Sequence, residues 1–341
     1  MKVFVVSMRG LHWLTTVVVL SGLLLLSFSC EQKGPRSARS VGVTSEILVV
    51  TQNKEQWKGI AGEAIRAYFG QSQYGLPQEE PIYNIANIEL ENMSDMFQKH
   101  RNILLVEMGS KQEKPIVETR ADLWAKPQRV VKIRAANPDQ WVQTFDEHKE
   151  SIRLLYDRTE RERLMNIFRP TAKTDVAEAL FRHLGVSMII PEGFFVAKTE
   201  NDFMWIRRET PENSQGIIVY RIPYRDTLQL TDNRLTYTRD SIVSRHIPGP
   251  SPGSFMTTDK EFVPPMSQRI NYFVEDFAIE NRGMWKLIGD FMAGPYLSYT
   301  VIDQSKGHLI TVEGYVYAPN KDKRDLLRQL EAVLFSLNLN P

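Results

Sequence analysis

The stretch NPDQWVQTFDEHKESIRLLYDRTERERLMNIFRP, residues 137–170, decides how the rest of the chain divides. Asn137 suits a helix N-cap, and Pro138 suits the first helical position, where its missing N–H is no loss. Apolar or bulky residues then recur at Trp141, Phe145, His148, Ile152, Leu155, Tyr156, Leu164, Ile167 and Phe168, which predicts one helix of about thirty residues. Its back carries Asp157, Arg158, Glu160, Arg161, Glu162 and Arg163 and reads as a solvated face. Asp157 and Arg161 are spaced for an i,i+4 pair worth about 0.2–0.5 kcal/mol. Arg169-Pro170 ends the helix, because the residue before proline is biased away from helical geometry. A boundary near residue 170 follows.

Upstream of this helix, Ile47-Leu48-Val49-Val50 reads as a strand and Gln56 to Phe69 as a helix. A loop holds Tyr74-Gly75-Leu76-Pro77 and Pro81, followed by a short helix near Ser94 to Lys99 and strands at Ile103–Val106 and Arg129–Ala135. Downstream, Thr174 to Leu184 reads as a helix stopped by Gly185. Strand candidates follow at Gly193–Lys198, Phe203–Arg208, Gly216–Ile222, Tyr272–Glu280, Tyr296–Asp303 and Leu309–Tyr317. Asp322 to Leu337 closes the chain as a helix with Leu326, Leu327, Leu330, Val333, Leu334 and Leu337 on one stripe and Lys323, Arg324 and Arg328 off it. The expected fold class is α+β, with two mixed lobes, residues 46–170 and 171–341; the second is a largely antiparallel sheet with flanking helices.

Length and composition agree with this division. The 341 residues exceed one ordinary domain, and 42% hydrophobic content can fill two cores. A net charge of +1 lacks the basic field of a nucleic-acid binder, so no nucleic-acid partner is expected. The chain has one cysteine, which excludes an internal disulfide and a Cys-rich metal site.

That cysteine sits in an informative place. Lys2 and Arg9 precede an uncharged run from Leu14 to Leu26, and small residues then lead to Cys30, the three-part plan of a secretory signal over residues 1–29. The uncharged span from Gly10 to Ser29 is also long enough for a retained membrane helix, which takes about 20 residues. Ser27-Phe28-Ser29-Cys30 resembles a lipobox, with Ser27 and Phe28 in place of the usual aliphatic and small residues. The resemblance implies acylation of Cys30, palmitate included, and a membrane partner held through N-terminal lipid. Residues 30–45 have almost no large apolar side chain and read as a flexible tether.

Compact catalytic motifs are missing. Gly249-Pro250-Ser251-Pro252-Gly253 spells G-x-S-x-G, but Pro252 has no N–H for an oxyanion hole, and the Pro-rich stretch from His246 to Pro265 reads as an exposed loop. The histidines His100, His148, His183, His246 and His308 show no H-E-x-x-H pair, and Gly70 and Gly75 lack a phosphate-loop lysine, so no metal site and no cofactor are expected. Asp276, Glu280, Asp290 and Glu313 are candidate carboxylates for acid–base work if folding joins two of them.

Aromatic residues interleave with glycine towards the end of the chain, among them Trp285, Phe291 and Tyr296 beside Gly283, Gly289 and Gly294. These three aromatics read as core or as a groove for a partner. Glu46-Ile47-Leu48-Val49-Val50, Tyr74-Gly75-Leu76-Pro77-Gln78, His100-Arg101-Asn102-Ile103-Leu104, Gly289 to Pro295 and Glu313 to Pro319 together resemble an uncharacterised family of Bacteroidota envelope proteins, many of them predicted lipoproteins, termed domain of unknown function 4837. The resemblance spans residues 46–339 and implies a lipid-anchored envelope protein of the outer membrane, its face left open, with no catalytic residues to transfer. The second lobe is also similar to small α+β lobes of the PsbP and Mog1 kind, a likeness without activity. Two function classes stand: a non-enzymatic binding or assembly module with an envelope protein or glycan partner, and an envelope hydrolase with dispersed catalytic residues.

Overall fold

A computed structural model describes residues 38–109, 111, 114–274 and 277–339. Cys30, the expected signal and the first half of the expected tether lie outside them, as does Asp276. The first half of the body is a five-stranded sheet of β2 (Glu46–Thr51), β3 (Asn84–Glu89), β4 (Asn102–Met108), β5 (Ile116–Ala121) and β7 (Arg129–Ala135), in the order β3-β2-β4-β7-β5. Its first four strands in that order run parallel, and β5 returns antiparallel to β7. β3 and β5 have no counterpart in the sequence reading, because Asn84–Glu89 and Ile116–Ala121 carry polar edges in place of an apolar run. Two short strands, β1 (Ala38–Arg39) and β6 (Ala125–Lys126), lie outside this sheet.

The expected helix over 56–69 is two helices, α1 (Lys54–Lys58) and α2 (Ile60–Phe69), which meet at Gly59. α3 (Asp95–Gln98) is one turn long. The long helix α4 (Pro138–Phe168, 31 residues) begins where expected, with the Asn137 side chain accepting the Gln140 N–H at 3.0 Å. Trp141, Phe145, Ile152 and Tyr156 of α4 pack with Ile65, Phe69 and Tyr83 against Val131 and Ile133 of the sheet.

The tether is shorter at its body end than the sequence suggested. Val41 N–H donates to the Lys99 carbonyl at 2.9 Å. Ser45 is fully buried and its hydroxyl donates to Asp325 at 2.8 Å.

The second half opens with α5 (Thr174–Leu184), which Gly185 ends in the left-handed conformation at φ 69°. An eight-stranded antiparallel sheet follows in the order β11-β13-β14-β15-β10-β9-β8, with β12 also pairing β13. Its strands are β8 (Phe195–Glu200), β9 (Phe203–Glu209), β10 (Ser214–Pro223), β11 (Phe255–Asp259), β12 (Met266–Ile270), β13 (Ala278–Ile288), β14 (Ala293–Asp303) and β15 (His308–Tyr317). α5 and the closing helix α7 (Arg324–Leu334) cover one face, where Leu180, Leu184, Leu327 and Leu330 meet Ile217, Tyr299 and Val312. A Cβ on Gly314 would stand 2.7 Å from Leu330 Cβ, so glycine lets α7 lie close on β15. The other face carries α6 (Asp232–His246), whose Val243 joins Trp205, Trp285 and Tyr296.

Three expectations change here. The strand expected at Tyr272–Glu280 begins at Ala278 and runs to Ile288. α6 was not foreseen, because only Thr236, Arg239 and Val243 of its residues are buried and no apolar stripe marks it. The Pro-rich stretch 246–265 is no free loop: it contains β11, and Met256 N–H donates to the Ile247 carbonyl at 3.0 Å. Among the described residues no strand pairing crosses residue 170, and no helix is long and apolar enough to span a membrane.

Candidate functional site at the junction of the two sheets

The charged back of α4 is where sequence and structure diverge most. Asp157, Glu160 and Arg163 are buried, and Arg161 is half-buried; Arg158 and Glu162 alone of the run are well exposed. Glu160 turns into the first half, taking bonds from Arg101 (2.9 Å), Asn102 (2.7 Å) and Arg163 (2.6 Å). Asp157 and Arg161 do not form the expected i,i+4 pair. They face α7, whose polar side carries Arg328 and Glu331 in complementary order.

Arg328 Nη1 donates to Asp157 Oδ1 at 2.9 Å, and the Tyr83 hydroxyl donates to the same oxygen at 2.7 Å. Arg153 reaches Asp157 Oδ2 at 3.3 Å, and the Arg328 guanidinium lies 4.5 Å from the Tyr83 ring centre. One turn along, Glu331 Oε1 meets Arg161 at 3.5 Å and Arg282 at 3.4 Å. Arg282 Nε in turn donates to Glu280 at 2.9 Å, and the Tyr299 hydroxyl lies within hydrogen-bond distance of both Glu280 (2.9 Å) and Glu331 (3.2 Å).

The rest of the junction comes from the loop before β3. Lys323 at the head of α7 provides no side-chain cap, and Glu80 does so instead, accepting the Lys323 and Arg324 N–H groups at 2.8 Å each. A carboxylate there is favoured by the unpaired amides and the helix dipole. The Tyr74 hydroxyl donates to the Pro264 carbonyl at 2.6 Å, and Gln78 Nε2 to Asp322 at 2.9 Å. The Tyr74–Pro81 loop is thus a clasp between the halves. Lys323, Arg324 and Arg328, off the apolar stripe in the sequence, are buried, the first two against Glu80 and the third against Ile82, Tyr83 and Asp157.

A cleft of about 320 Å³ opens over these charges, lined by Tyr68, Arg153, Arg161, Tyr272, Arg282 and Arg328 among others. A larger depression of about 1010 Å³ continues along α4 past Leu154, Arg158, Met165 and Phe335. Arg161 and Tyr272 line both, so the two adjoin as a trough along α4.

Its electrostatics point away from proton transfer. Burial alone would raise the Asp157 carboxyl, but Arg328, Arg153 and Arg161 outweigh it and hold the group below its ordinary value. Burial against the pull of Arg282 gives the same outcome for Glu280. Tyr68 and Tyr299 are pushed up by burial and by neighbouring carboxylates. The four carboxylates that line the cleft, Glu150, Asp157, Glu280 and Glu331, are each ion-paired. A general acid or base works best with a pKa near the operating pH, whereas here Asp157 and Glu280 move down and Tyr68 and Tyr299 move up. The trough offers charged and hydrogen-bonding side chains of both signs to a polar ligand.

The residues named from sequence do not gather here. Trp285 (2% exposed) and Tyr296 (0%) are core residues, so they are no partner surface. Trp285 Nε1 donates to the Val316 carbonyl at 3.2 Å, and Tyr296 lies under Arg239 at 3.9 Å. Of the three expected surface aromatics only Phe291 is exposed, at 88%, in the turn between β13 and β14. Interleaved aromatics and glycines look alike in a core and in a groove; strand register separates them.

Register also parts the candidate carboxylates. Glu280 pairs across to Tyr299 and on to Val312, while Glu313 pairs to Ser298, so the two project from opposite faces of the sheet. Glu313 is sealed in a bidentate pair with Arg239 at 2.7 and 2.8 Å. Asp290 accepts the Ser251 hydroxyl at 2.5 Å on an exposed turn. His100 bonds Glu46 at 2.8 Å, and His246 stacks on Phe203 at 4.5 Å. No group of three metal-ligating side chains occurs among the described residues. The signal that could have found the junction was the complementary spacing of Asp157 and Arg161 against Arg328 and Glu331.

Fold and site together define a two-sheet α+β protein whose halves are clasped by buried ion pairs. Residues 173–336 match the family model of a domain of unknown function (DUF4837), and residues 40–169 match that of a second domain of unknown function (DUF8532). Each of the two large sheets thus lies within a match to a domain of unknown function. The resemblance to DUF4837 expected over 46–339 holds over residues 173–336, and residues 40–169 match the other model instead. No curated protein matches the chain. Among solved structures it is similar to the Ran-binding protein Mog1p of Saccharomyces cerevisiae, at 8% identity and TM-score 0.29 over 46% of this chain and 90% of that one. It is also similar to LpqN, involved in cell envelope biogenesis of Mycobacterium tuberculosis, at 13% identity and TM-score 0.27 over 46% and 83%. Likeness at this level carries no functional argument.

Proposed function

We propose that this is an envelope protein exported by residues 1–29, anchored through lipid on Cys30, and acting by contact as a binding or assembly module. The trough along α4 receives its partner, an envelope protein or a glycan. One observation carries the contact reading: the carboxylates that line the cleft are ion-paired, and the shifts resolved there move carboxyl groups below and phenols above their ordinary values. The anchor is supported by the n-region, the apolar run and the cysteine that ends it. Linked acyl chains would hold the protein more firmly than the marginal grip of a single chain.

A photo-cross-linking residue at Arg158, on the exposed rim of the trough, tests the contact reading in native membranes. A discrete adduct is expected there and none from Tyr237, on the far face of the second sheet. Purified protein that turns over peptidoglycan, glycan or ester substrates, and loses that turnover in Glu331→Gln, would replace this reading with the hydrolase. Labelling with an alkyne fatty acid should mark the wild type and not Cys30→Ser.

A further inference from the structure

The five-stranded sheet is covered unequally. α2 and α4 bury one face. On the other, Leu48, Val50, Ile103 and Val130 form a smaller core with Met93, Phe97, Leu105 and Trp124, sheltered by the single turns Leu90–Asn92 and α3. An apolar groove of about 450 Å³ stays open there, lined by Leu90, Met93, Leu105, Leu123, Trp124 and Val130 and edged by Gln98, Glu118, Arg120 and Lys132. Leu90 and Leu123 are 53% and 48% exposed, and the nearby Met96 is 62% exposed. Large apolar side chains gathered on one face mark an interaction surface more often than the same residues scattered singly.

Where the chain enters the body says what that surface meets. Ser40 N–H donates to the Lys126 carbonyl at 3.2 Å, and Arg101 N–H donates to the Val41 carbonyl at 3.0 Å. Lys126 lies two residues beyond Trp124, and Val41 N–H bonds Lys99, the residue after Gln98; both Trp124 and Gln98 line the groove. From Cys30 to Ser40 is roughly ten residues, which in any conformation span at most about 35 Å. A lipid on Cys30 therefore keeps the edge of this groove close to the bilayer, at a high effective concentration that lets a weak apolar contact form.

We propose that the groove face docks on the lipid leaflet that holds the Cys30 acyl chains, with Leu90, Met96 and Leu123 entering its apolar edge; this rests on the anchor reading above. The second sheet and the trough then project away from the bilayer contact.

The test uses the full acylated chain in phosphatidylethanolamine–phosphatidylglycerol vesicles. Since Cys30 is the only cysteine, acylation leaves Leu123→Cys or Tyr237→Cys as the sole free thiol for a nitroxide label. The label at 123 should collide with dissolved oxygen freely and with a water-soluble nickel chelate several-fold less than the label at 237. Equal nickel access at both sites, with fatty acid on Cys30 verified by mass spectrometry, overturns the leaflet contact alone. Shielding at 123 from both reagents reports a second protein copy on the groove and also overturns it. Absence of fatty acid on Cys30 overturns the anchor reading and this inference with it.

Discussion

Arg239 and Glu313 close on each other inside one half of the molecule, two parallel bonds with Thr258 and the Tyr296 ring filling the remaining valences. At the junction no carboxylate has a single owner: Asp157 answers to Arg153, Arg328 and Tyr83, and Glu331 to Arg161, Arg282 and Tyr299. The closed pair fixes α6 on its own sheet. The shared network exists only while both halves are in place, since Asp157 comes from one and Arg328 from the other. Buried charge adds little net stability when paired and costs much when one partner is removed, so the two arrangements should fail differently.

Arg328→Ala is expected to have the largest effect, about 3–5 kcal/mol lost in urea unfolding, because it takes from buried Asp157 its closest cation, at 2.9 Å, and leaves the carboxylate only Arg153 at 3.3 Å and the Tyr83 hydroxyl. It should also loosen one half from the other, read as faster amide exchange in α7 and the Tyr74–Pro81 loop. If the variant unfolds as the wild type does, the network is not what joins the sheets. Glu313→Gln should cost less, about 1.5–3 kcal/mol, since glutamine leaves Arg239 an acceptor beside Thr258 and Tyr296. Equal losses from both substitutions would erase the distinction between closed and shared pairing.

Acid should separate the two clusters. Asp157 and Glu280 titrate below their ordinary values of 3.8 and 4.5, so the folded state binds fewer protons than the unfolded chain. Their contribution is complete above those values and is lost as pH falls through the lowered ones. Glu313 has the opposite sign: burial raises it above 4.5 against the pull of Arg239, so its contribution is present below 4.5 and is lost as pH rises through the raised value. Asp157→Asn should therefore flatten the acid limb of a stability–pH curve, and Glu313→Gln should flatten its less acidic side. The smallest effect is expected from Ser251→Ala and Phe291→Ser, on exposed turns remote from both clusters; neither should move the melting temperature.

The local reading succeeded where the signal was local. Asn137-Pro138 started α4, Arg169-Pro170 ended it, and Gly185 stopped α5, each through a backbone preference that acts within a few residues. It failed at α6, whose buried residues include Arg239 in place of a leucine, and at Trp285 and Tyr296, whose direction is set by register with β14 and β15.

The sequence by itself determined the α+β class, the long helix with its end near residue 170 and the absence of compact catalytic motifs, because periodicity, caps and prolines act over short distances. Only the tertiary structure decided which charges are solvated. Arg158 and Asp157 are neighbours of the same kind on paper, and one faces water while the other meets Arg328, 171 residues further along the chain. A charge is buried when a distant segment brings its complement within bonding distance, and no window along α4 contains that segment.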